Sequence, residues 1–314
     1  MVKNNIRAFS LIELSVSLVI IGMIASSALS VAITSDSYAK ITETRAKLDA
    51  IDNALSGFVA LNFRLPCPAD GELAQTNADF GSEGTRSDST CPQKNYEYDP
   101  GSGVAIYYGV VPVTTLQLPD DFMFDGWGRR FKYMVDRDAA NNTSTNADCL
   151  TGSGNTSICL KGMTSEEINI NYVNGDTIDA SVVVLSHGEN GHGAYNKAGS
   201  STRINGFPTG NPYRDNSIAE FANAMLDKDG AATAAAPDIY VKEALTATNY
   251  FDDIVRYKTK GQLVKDSGYL FFDADCKTAQ DYINDPSGTG YCLGAADEDT
   301  CEQLATEINS RCLQ

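Results

Sequence analysis

The sequence predicts an α+β protein in which one long N-terminal α-helix packs on an antiparallel β-sheet domain with long, disulfide-tied loops. Three features of the 314 residues carry this prediction. An apolar run near the N-terminus continues as a helical pattern, short β-branched and aromatic segments alternate with polar loops, and there are eight cysteines. The first half of the helix is expected to be transmembrane and the second half amphipathic.

The N-terminal segment begins with a short basic stretch. Lys3 and Arg7 precede an apolar run in which Glu13 is the only charged residue. Residues 14–33 are uncharged and mostly apolar, and at ~1.5 Å of rise per residue they match the ~30 Å hydrocarbon core of a bilayer. The basic residues place the N-terminus in the cytoplasm. An acid in such a run costs roughly 3 kcal/mol on insertion, which marks Glu13 as a functional residue.

The apolar run is followed by an amphipathic continuation of the same helix, so that the whole helix is expected to span residues 9–63. Proline cannot continue a helix, and Pro66 is expected to end this one. Lys47 belongs to the charged residues expected on the faces away from the domain. The expected apolar stripe recurs at three- and four-residue steps and comprises Tyr38, Ile41, Leu48, Ile51, Leu55, Phe58 and Val59.

Residues 64–260 are expected to form a globular β domain. A turn around Asp125 leads into one strand, in which Arg130, Phe131, Lys132 and Tyr133 are expected to alternate between the two faces. Trp127 is expected to be the buried anchor of that turn. The other expected elements are strands at 104–113, 168–173, 181–186 and 251–259 and a short helix near 218–226.

The cysteines indicate disulfides in an oxidising compartment, because their number is even and no C-x-x-C pair occurs. Residues 261–314 are expected to be a disulfide-stapled helical extension. Within it, Cys301 and Cys312 are too far apart along a helix, at about 16 Å, to meet the ~7 Å limit for bridged Cα atoms. The expected pairs are Cys67–Cys91, Cys149–Cys159, Cys276–Cys312 and Cys292–Cys301.

Charge and composition argue against two functional classes. The 41 acidic residues against 24 basic ones give a net charge of -17, which is the wrong sign for a nucleic-acid binder. The sequence has only two histidines, and no phosphate-binding loop or catalytic triad stands out, so an enzyme is not expected. A Gly-rich turn after a strand is favoured over a zinc site made of His187, Glu189 and His192.

The segment AFSLIELSVSLVIIGMIA resembles the N-terminus of type IV pilins and type II secretion pseudopilins. In that family a prepilin peptidase cuts before a phenylalanine and methylates the new amine. The resemblance implies a leader over residues 1–8, with Ala8 before the cut in place of the usual glycine and Phe9 after it. It also implies that Glu13 of one subunit pairs with the Phe9 amine of a neighbour, or with its own, during assembly.

Two later segments are similar to the major pseudopilin of type II secretion. One is the Asp-x-Trp-Gly turn in FDGWGRRFKYMVD, and the other is the acidic ending FDDIV. Together with the Gly-rich loop, this resemblance implies a calcium ion held by Asp252, Asp253 and Asn190, since hard oxygen ligands suit calcium. The stretch between loop and acids is longer here than in the family, and the alternative is a solvated strand end.

The resemblance implies a filament subunit that spans the inner membrane once, with its C-terminal domain in the periplasm. After assembly, such a subunit can become part of an extracellular filament. A type II secretion pseudopilin is favoured by the turn and the acidic ending, and a minor or adhesive type IV pilus subunit by size, cysteines and loops. The rival class is a membrane-tethered binding or hydrolytic domain that does not polymerise. Expected partners are other pilin or pseudopilin subunits, the prepilin peptidase, the inner-membrane assembly platform and the membrane before assembly.

Overall fold

The described part of the chain is a layered α+β structure. A long helix lies on one face of a five-stranded sheet, and a smaller sheet with a short helix covers the other face. The computed structural model describes residues 11–62, 64–85, 91, 97–98, 106–140, 168–173, 175–233, 238–241, 249–259, 262–263 and 266, without the side chains of positions 11, 13, 24–35, 97–98 and 138. Most of the predicted C-terminal extension, with Cys276–Cys312 and Cys292–Cys301, lies outside these residues, and so does Cys149–Cys159.

Helix α1 spans Leu11–Asn62, close to the predicted range. Its apolar stripe is confirmed in the second half, where Leu48, Ile51, Leu55 and Val59 are at most 3% exposed. Tyr38 was wrongly assigned to the stripe and is 75% exposed, because the domain first touches the helix about one half-turn later.

Lys47 is buried against the domain, contrary to the expectation that it faces water. Its ammonium group donates to the carbonyl oxygen of Phe124 at 3.0 Å and pairs with Asp121 at 2.7 Å. The aliphatic part of a lysine can lie along apolar surface while the charged end reaches polar partners. Lys47 therefore joins the helix to the domain.

The main sheet is antiparallel throughout and confirms the predicted strands. In their order across the sheet, its five strands are β1 Glu97–Tyr98, β2 Ile106–Val110, β3 Lys132–Asp136, β6 Val182–Ser186 and β8 Ile254–Lys258. Every residue of β6 is buried: Val182 and Val184 pack on the α1 side, and Val183 and Leu185 pack on the opposite side. A strand buried on both faces is expected to be continuously apolar.

The smaller sheet has the order β5-β4-β7. Its strands are β4 Ile168–Asn171, β5 Thr177–Ala180 and β7 Asp238–Tyr240, and its short companion helix α3 spans Ile218–Ala224. The expected antiparallel arrangement does not extend to β7, which pairs with β4 in parallel. A four-residue helix α2, Arg137–Ala140, directly follows β3, and a 3₁₀ turn at Asp120–Met123 precedes the Asp125 turn.

The Asp125 turn packs closely on α1. A Cβ atom on Gly126 would lie 2.3 Å from the carbonyl oxygen of Lys40, so only glycine allows this approach. The Gly126 N–H donates to the hydroxyl of Thr44 at 2.9 Å. The turn thus marks where the domain begins to hold the helix.

Asp125, rather than Trp127, is the buried anchor of this turn. Its carboxylate accepts from the backbone N–H groups of Trp127 and Arg129, both at 2.9 Å, and from the hydroxyl of Ser186 at 2.6 Å. The Trp127 side chain is only half-buried, so its predicted role was wrong. A compact carboxylate can satisfy several turn N–H groups at once, which an indole cannot do.

The strand predicted after the turn is confirmed as β3, and its residues alternate between the two faces: Phe131 and Tyr133 lie in the core beside α1, and Met134 lies in the opposite core. Arg130 and Lys132 are buried as well. Both faces of β3 are covered, so the side chain of Lys132 points into the protein, as does that of Arg130 just before the strand. Lys132 donates to the carbonyl oxygen of Asn223 at 2.7 Å. Burial lowers the pKa of Lys132 well below its usual value, and it raises the pKa of Tyr133.

The Cys67–Cys91 disulfide is present as predicted, with Cα atoms 5.5 Å apart and both residues buried in the core beside α1. It closes a loop with a sequence separation of 24 residues. Loss of such a constraint costs about 3 kcal/mol by the loop-entropy relation. We therefore expect the Cys67→Ser/Cys91→Ser variant to unfold at lower urea concentration, with a free energy of unfolding reduced by about that amount.

The measurement uses the oxidised full-length chain in detergent without reductant, because a reductant would act on every disulfide. Cys67→Ala/Cys91→Ala is the matched control for the loss of the polar hydroxyls that serine introduces into the core. An unchanged free energy of unfolding in both variants would contradict the stabilising role.

Candidate functional site

The N-terminal motif lies at the edge of the described chain. Ala8 and Phe9 lie outside the described residues, and the backbone of Glu13 belongs to α1 while its side chain is not described. The large apolar side chains described in the first turns of α1, from Ile12 to Met23, are between 51% and 70% exposed. An apolar surface of this size requires a partner, which can be lipid or the helices of other subunits.

Among the residues open to description, no helix reaches the length and apolarity needed to cross a membrane. The span predicted at residues 14–33 therefore stays a prediction.

A second candidate site lies where the loop after β6 meets the segment before β8. These two strands are antiparallel neighbours with Ser186 opposite Ile254, so the end of one strand and the start of the other meet at the same edge. This pairing brings the Gly-rich loop against Asp252 and Asp253, although a long stretch of sequence separates them. Helix α3 supplies Glu220 to the same place.

Glu220, Asp252 and Asp253 form an acidic cluster in which one carboxylate oxygen of each residue lies within 4.8 Å of those of the other two. The backbone N–H of Asp252 donates to one oxygen of Glu220 at 2.7 Å. The side chain of Asn223 donates to Asp253 at 2.8 Å. These contacts hold the carboxylates of Glu220 and Asp253 and join α3 to the segment before β8.

The loop after β6 holds Asp252 from the other side. The backbone N–H groups of Glu189 and Asn190 donate to one carboxylate oxygen of Asp252 at 2.6 and 2.9 Å, and the hydroxyl of Tyr250 donates to the same oxygen at 3.0 Å. Gly188 has a φ of +53°, and a Cβ atom there would lie 2.4 Å from the carbonyl oxygen of Asp252. Only glycine allows the loop to approach the acids this closely.

Arg129, from the turn before β3, fastens the loop. Its guanidinium group donates to the carbonyl oxygens of Gly188 and Glu189. Arg129 therefore joins the turn before β3 to the loop after β6. The hydrogen bond of 2.6 Å between Asp125 and Ser186 joins the same turn to the end of β6.

The electrostatics of the acidic cluster oppose full ionisation. Burial is the largest cause that raises the pKa of Glu220 and of Asp253 well above the usual range, and the charges of neighbouring carboxylates raise both further. Burial also raises the pKa of Asp252. Such a group of acids is stable when it holds protons or when it binds a cation.

The structure brings the three residues predicted for calcium together. Asp252 and Asp253 belong to the acidic cluster, and Asn190 lies beside it. The amide nitrogen of Asn190 donates to Glu220 at 3.0 Å, and its amide oxygen accepts from the N–H of His192 at 2.8 Å. With that oxygen engaged, Asn190 is placed to orient Glu220.

Glu220 was missed by the sequence analysis. The only available signal was an acid in the first turn of a short helix between apolar residues. The alternative site of His187, Glu189 and His192 does not form among the described residues: Glu189 is exposed, and His192 lies between the rings of Phe207 and Phe221 with centroids 5.1 and 5.4 Å away.

Residues 3–29 match the family model described as the prokaryotic N-terminal methylation motif, which is the type IV pilin and pseudopilin signature. Neither the curated proteins nor the solved structures include a significant match to the chain. The motif supports a pilin-like or pseudopilin subunit, and it indicates a structural-subunit family rather than an enzyme.

Proposed function

We propose that the chain, which carries the prokaryotic N-terminal methylation motif, is the structural subunit of a periplasmic or extracellular filament, and that it is a type II secretion pseudopilin. The observation that carries the proposal is the match over residues 3–29. The exposed apolar surface of the first turns of α1 supports it, because subunits that bundle these helices would bury that surface.

In the proposed assembly, prepilin peptidase removes residues 1–8 and methylates the new amine of Phe9. That amine is a cation in an apolar environment, and Glu13 is the acid placed to pair with it. A buried charge is tolerated when it is paired and hydrogen-bonded, so only the correct axial position of neighbouring subunits satisfies both groups. The ion pair therefore sets the register of the filament.

Before assembly, we propose that residues 14–33 hold the subunit in the inner membrane as a single span, with the β domain in the periplasm. The disulfide Cys67–Cys91 supports this placement, because the periplasm is oxidising. An inner-membrane assembly platform would then extract the subunit into the growing filament.

The choice of secretion over a pilus is supported by two segments that are similar to the major pseudopilin. These are the Asp125 turn, which packs on α1, and the pair Asp252 and Asp253 before β8. The runner-up, a minor or adhesive type IV pilus subunit, is favoured by the chain length and the eight cysteines.

Mass spectrometry of the native protein tests the processing step. We expect a mature chain that begins with N-methylated Phe9 and lacks the mass of residues 1–8. Ala8→Gly is the matched control that keeps a small residue before the cut, and it should be processed fully. An unprocessed Met1 in native material would contradict the proposal.

We also propose that the acidic cluster holds a divalent cation, for which the resemblance names calcium. Three carboxylates close together suit such an ion, and one oxygen of Asp252 and one of Asp253 are buried without a hydrogen-bond partner. Glu220, Asp252 and Asp253 would be its ligands, with Asn190 holding Glu220 in place. The bound ion would neutralise the cluster and join α3, the loop after β6 and the segment before β8.

A further inference from the structure

Strand β8 lies at one edge of the main sheet. Among the described strands it pairs with β6 alone, and an edge strand of this kind is a template for a further strand. On one face of the sheet, Arg256 of β8 binds Asp49 of α1 at 3.1 Å. On the other face, Tyr257 contacts Tyr172 at the end of β4. A strand added beside β8 would therefore have protein on both of its faces.

A groove of about 470 Å³ lies between α1 and the end of β8. Lys258 and Asp266 line it on the sheet side, and helix α1 contributes the small or short side chains of Asn53, Gly57 and Ala60. A Cβ atom on Gly57 would meet no described atom within 4 Å. This flank of α1 thus leaves room for a neighbouring chain to approach the helix closely.

The chain returns to β8 soon after that strand ends. The N–H of Leu263 donates to the carbonyl oxygen of Thr259 at 3.0 Å, and the Leu263 side chain is fully buried in the core beside α1. Asp266 then pairs with Lys258, the last residue of β8, at 2.7 Å. Lys258 also donates to the hydroxyl of Ser56 on α1 at 2.8 Å. The residues after Asp266 therefore start beside the end of β8, from where a strand can run antiparallel to it.

The sequence that follows has the composition of a buried strand. Residues 268–272 read Gly-Tyr-Leu-Phe-Phe and contain no charged side chain. Aromatic residues favour strands, and an uninterrupted apolar run is typical of a strand covered on both faces, as it is for β6. Leaving four large apolar side chains in a row in water is unfavourable, so this segment needs a surface that covers it.

We propose that residues 268–272 form a sixth strand of the main sheet, which pairs antiparallel with β8 and lies along the groove beside α1. Side chains alternate along a strand, so Tyr269 and Phe271 would share one face. Leu270 and Phe272 would share the other. One pair would pack on α1, and the other pair would extend the core between the two sheets. The added strand would close the edge of the sheet, and this inference is independent of the filament role and of the cation site.

Photo-cross-linking tests which segment occupies the groove. Benzoylphenylalanine replaces Asn53, an exposed residue that lines the groove, in the oxidised full-length chain in detergent. We expect links to residues 268–272 of the same chain, at least tenfold more abundant than from the same probe at Leu61. Leu61 is the matched control, because it is 79% exposed on the same helix and does not line the groove. Mixed light and ¹⁵N-labelled chains distinguish a link within one chain from a link between two copies.

Links from position 53 to a second copy, links to another part of the same chain, or no link at all would each overturn the proposal. A second measurement uses the unaltered chain, so it does not depend on how the probe is tolerated. In hydrogen exchange followed by mass spectrometry, the amides of residues 268–272 should exchange at least a hundredfold more slowly than those of a synthetic peptide of residues 265–275. Equal exchange rates in the chain and in the peptide would also refute the sixth strand.

Discussion

Replacing Glu13 by alanine should abolish filament assembly while the β domain stays folded. The variant removes the one acid of the apolar run and leaves the Phe9 amine without a partner where subunits bundle. An unpaired buried charge costs about 3–5 kcal/mol, and every subunit of the filament would bear this cost. We expect at least a hundredfold loss of sheared or cross-linked filament, measured by immunoblot against total subunit.

Asp36→Ala is the matched control for the Glu13 substitution. Asp36 is an exposed acid on the same helix, and its pairing with Lys40 at 2.6 Å is a surface contact worth less than about 1 kcal/mol. This variant should assemble normally. Normal function of Glu13→Ala would instead favour a membrane-tethered domain that does not polymerise.

Replacing Arg130 by alanine should have the largest effect on the stability of the domain. Arg130 is 1% exposed, and its guanidinium group donates to the carbonyl oxygens of Leu73, Asn196 and Lys197 at 2.6, 3.0 and 3.2 Å. Truncation leaves three carbonyl groups without this donor and opens a cavity. We expect the free energy of unfolding to fall by about 4 kcal/mol, measured by urea denaturation.

Two control variants separate the possible causes of that loss. Arg130→Lys keeps the charge but loses the planar fork of donors, so it should recover only part of the stability. Arg256→Ala removes a half-exposed arginine whose contact with Asp49 is 3.1 Å, and it should cost less than about 1 kcal/mol. Equal losses in Arg130→Ala and Arg256→Ala would show that burial of the guanidinium group contributes little.

Much of the fold follows from the pattern of apolar residues along each helix and strand. The stripe Leu48–Ile51–Leu55–Val59 repeats with the period of a helix, and β6 is a continuous apolar run typical of a strand buried on both faces, so both could be predicted. Strand β7 has three residues and pairs in parallel with a distant strand, and nothing local marks such a strand. The exposed Tyr38 and the buried Lys47 depend on where the domain meets α1, which is a property of the tertiary structure.

The candidate cation site was only partly predictable for a similar reason. Asp252 and Asp253 are adjacent in sequence and could be singled out. Glu220 joins them through the packing of α3 beside the paired ends of β6 and β8. In the sequence, Glu220 looks like any polar residue of a short amphipathic helix, because its burial depends on the packing of α3 in the tertiary structure.

The close approach of Gly126 to Lys40 has a mechanical consequence. Toward the N-terminus of this point, the described apolar side chains of α1 are exposed, and beyond it Thr44, Lys47 and Asp49 are bound to the domain. When a filament is pulled along its axis, the force carried by the N-terminal half of α1 would reach each β domain at the contact between Gly126 and Lys40. The resistance of the whole filament to shear would then depend on a few polar contacts and on the close approach that Gly126 allows.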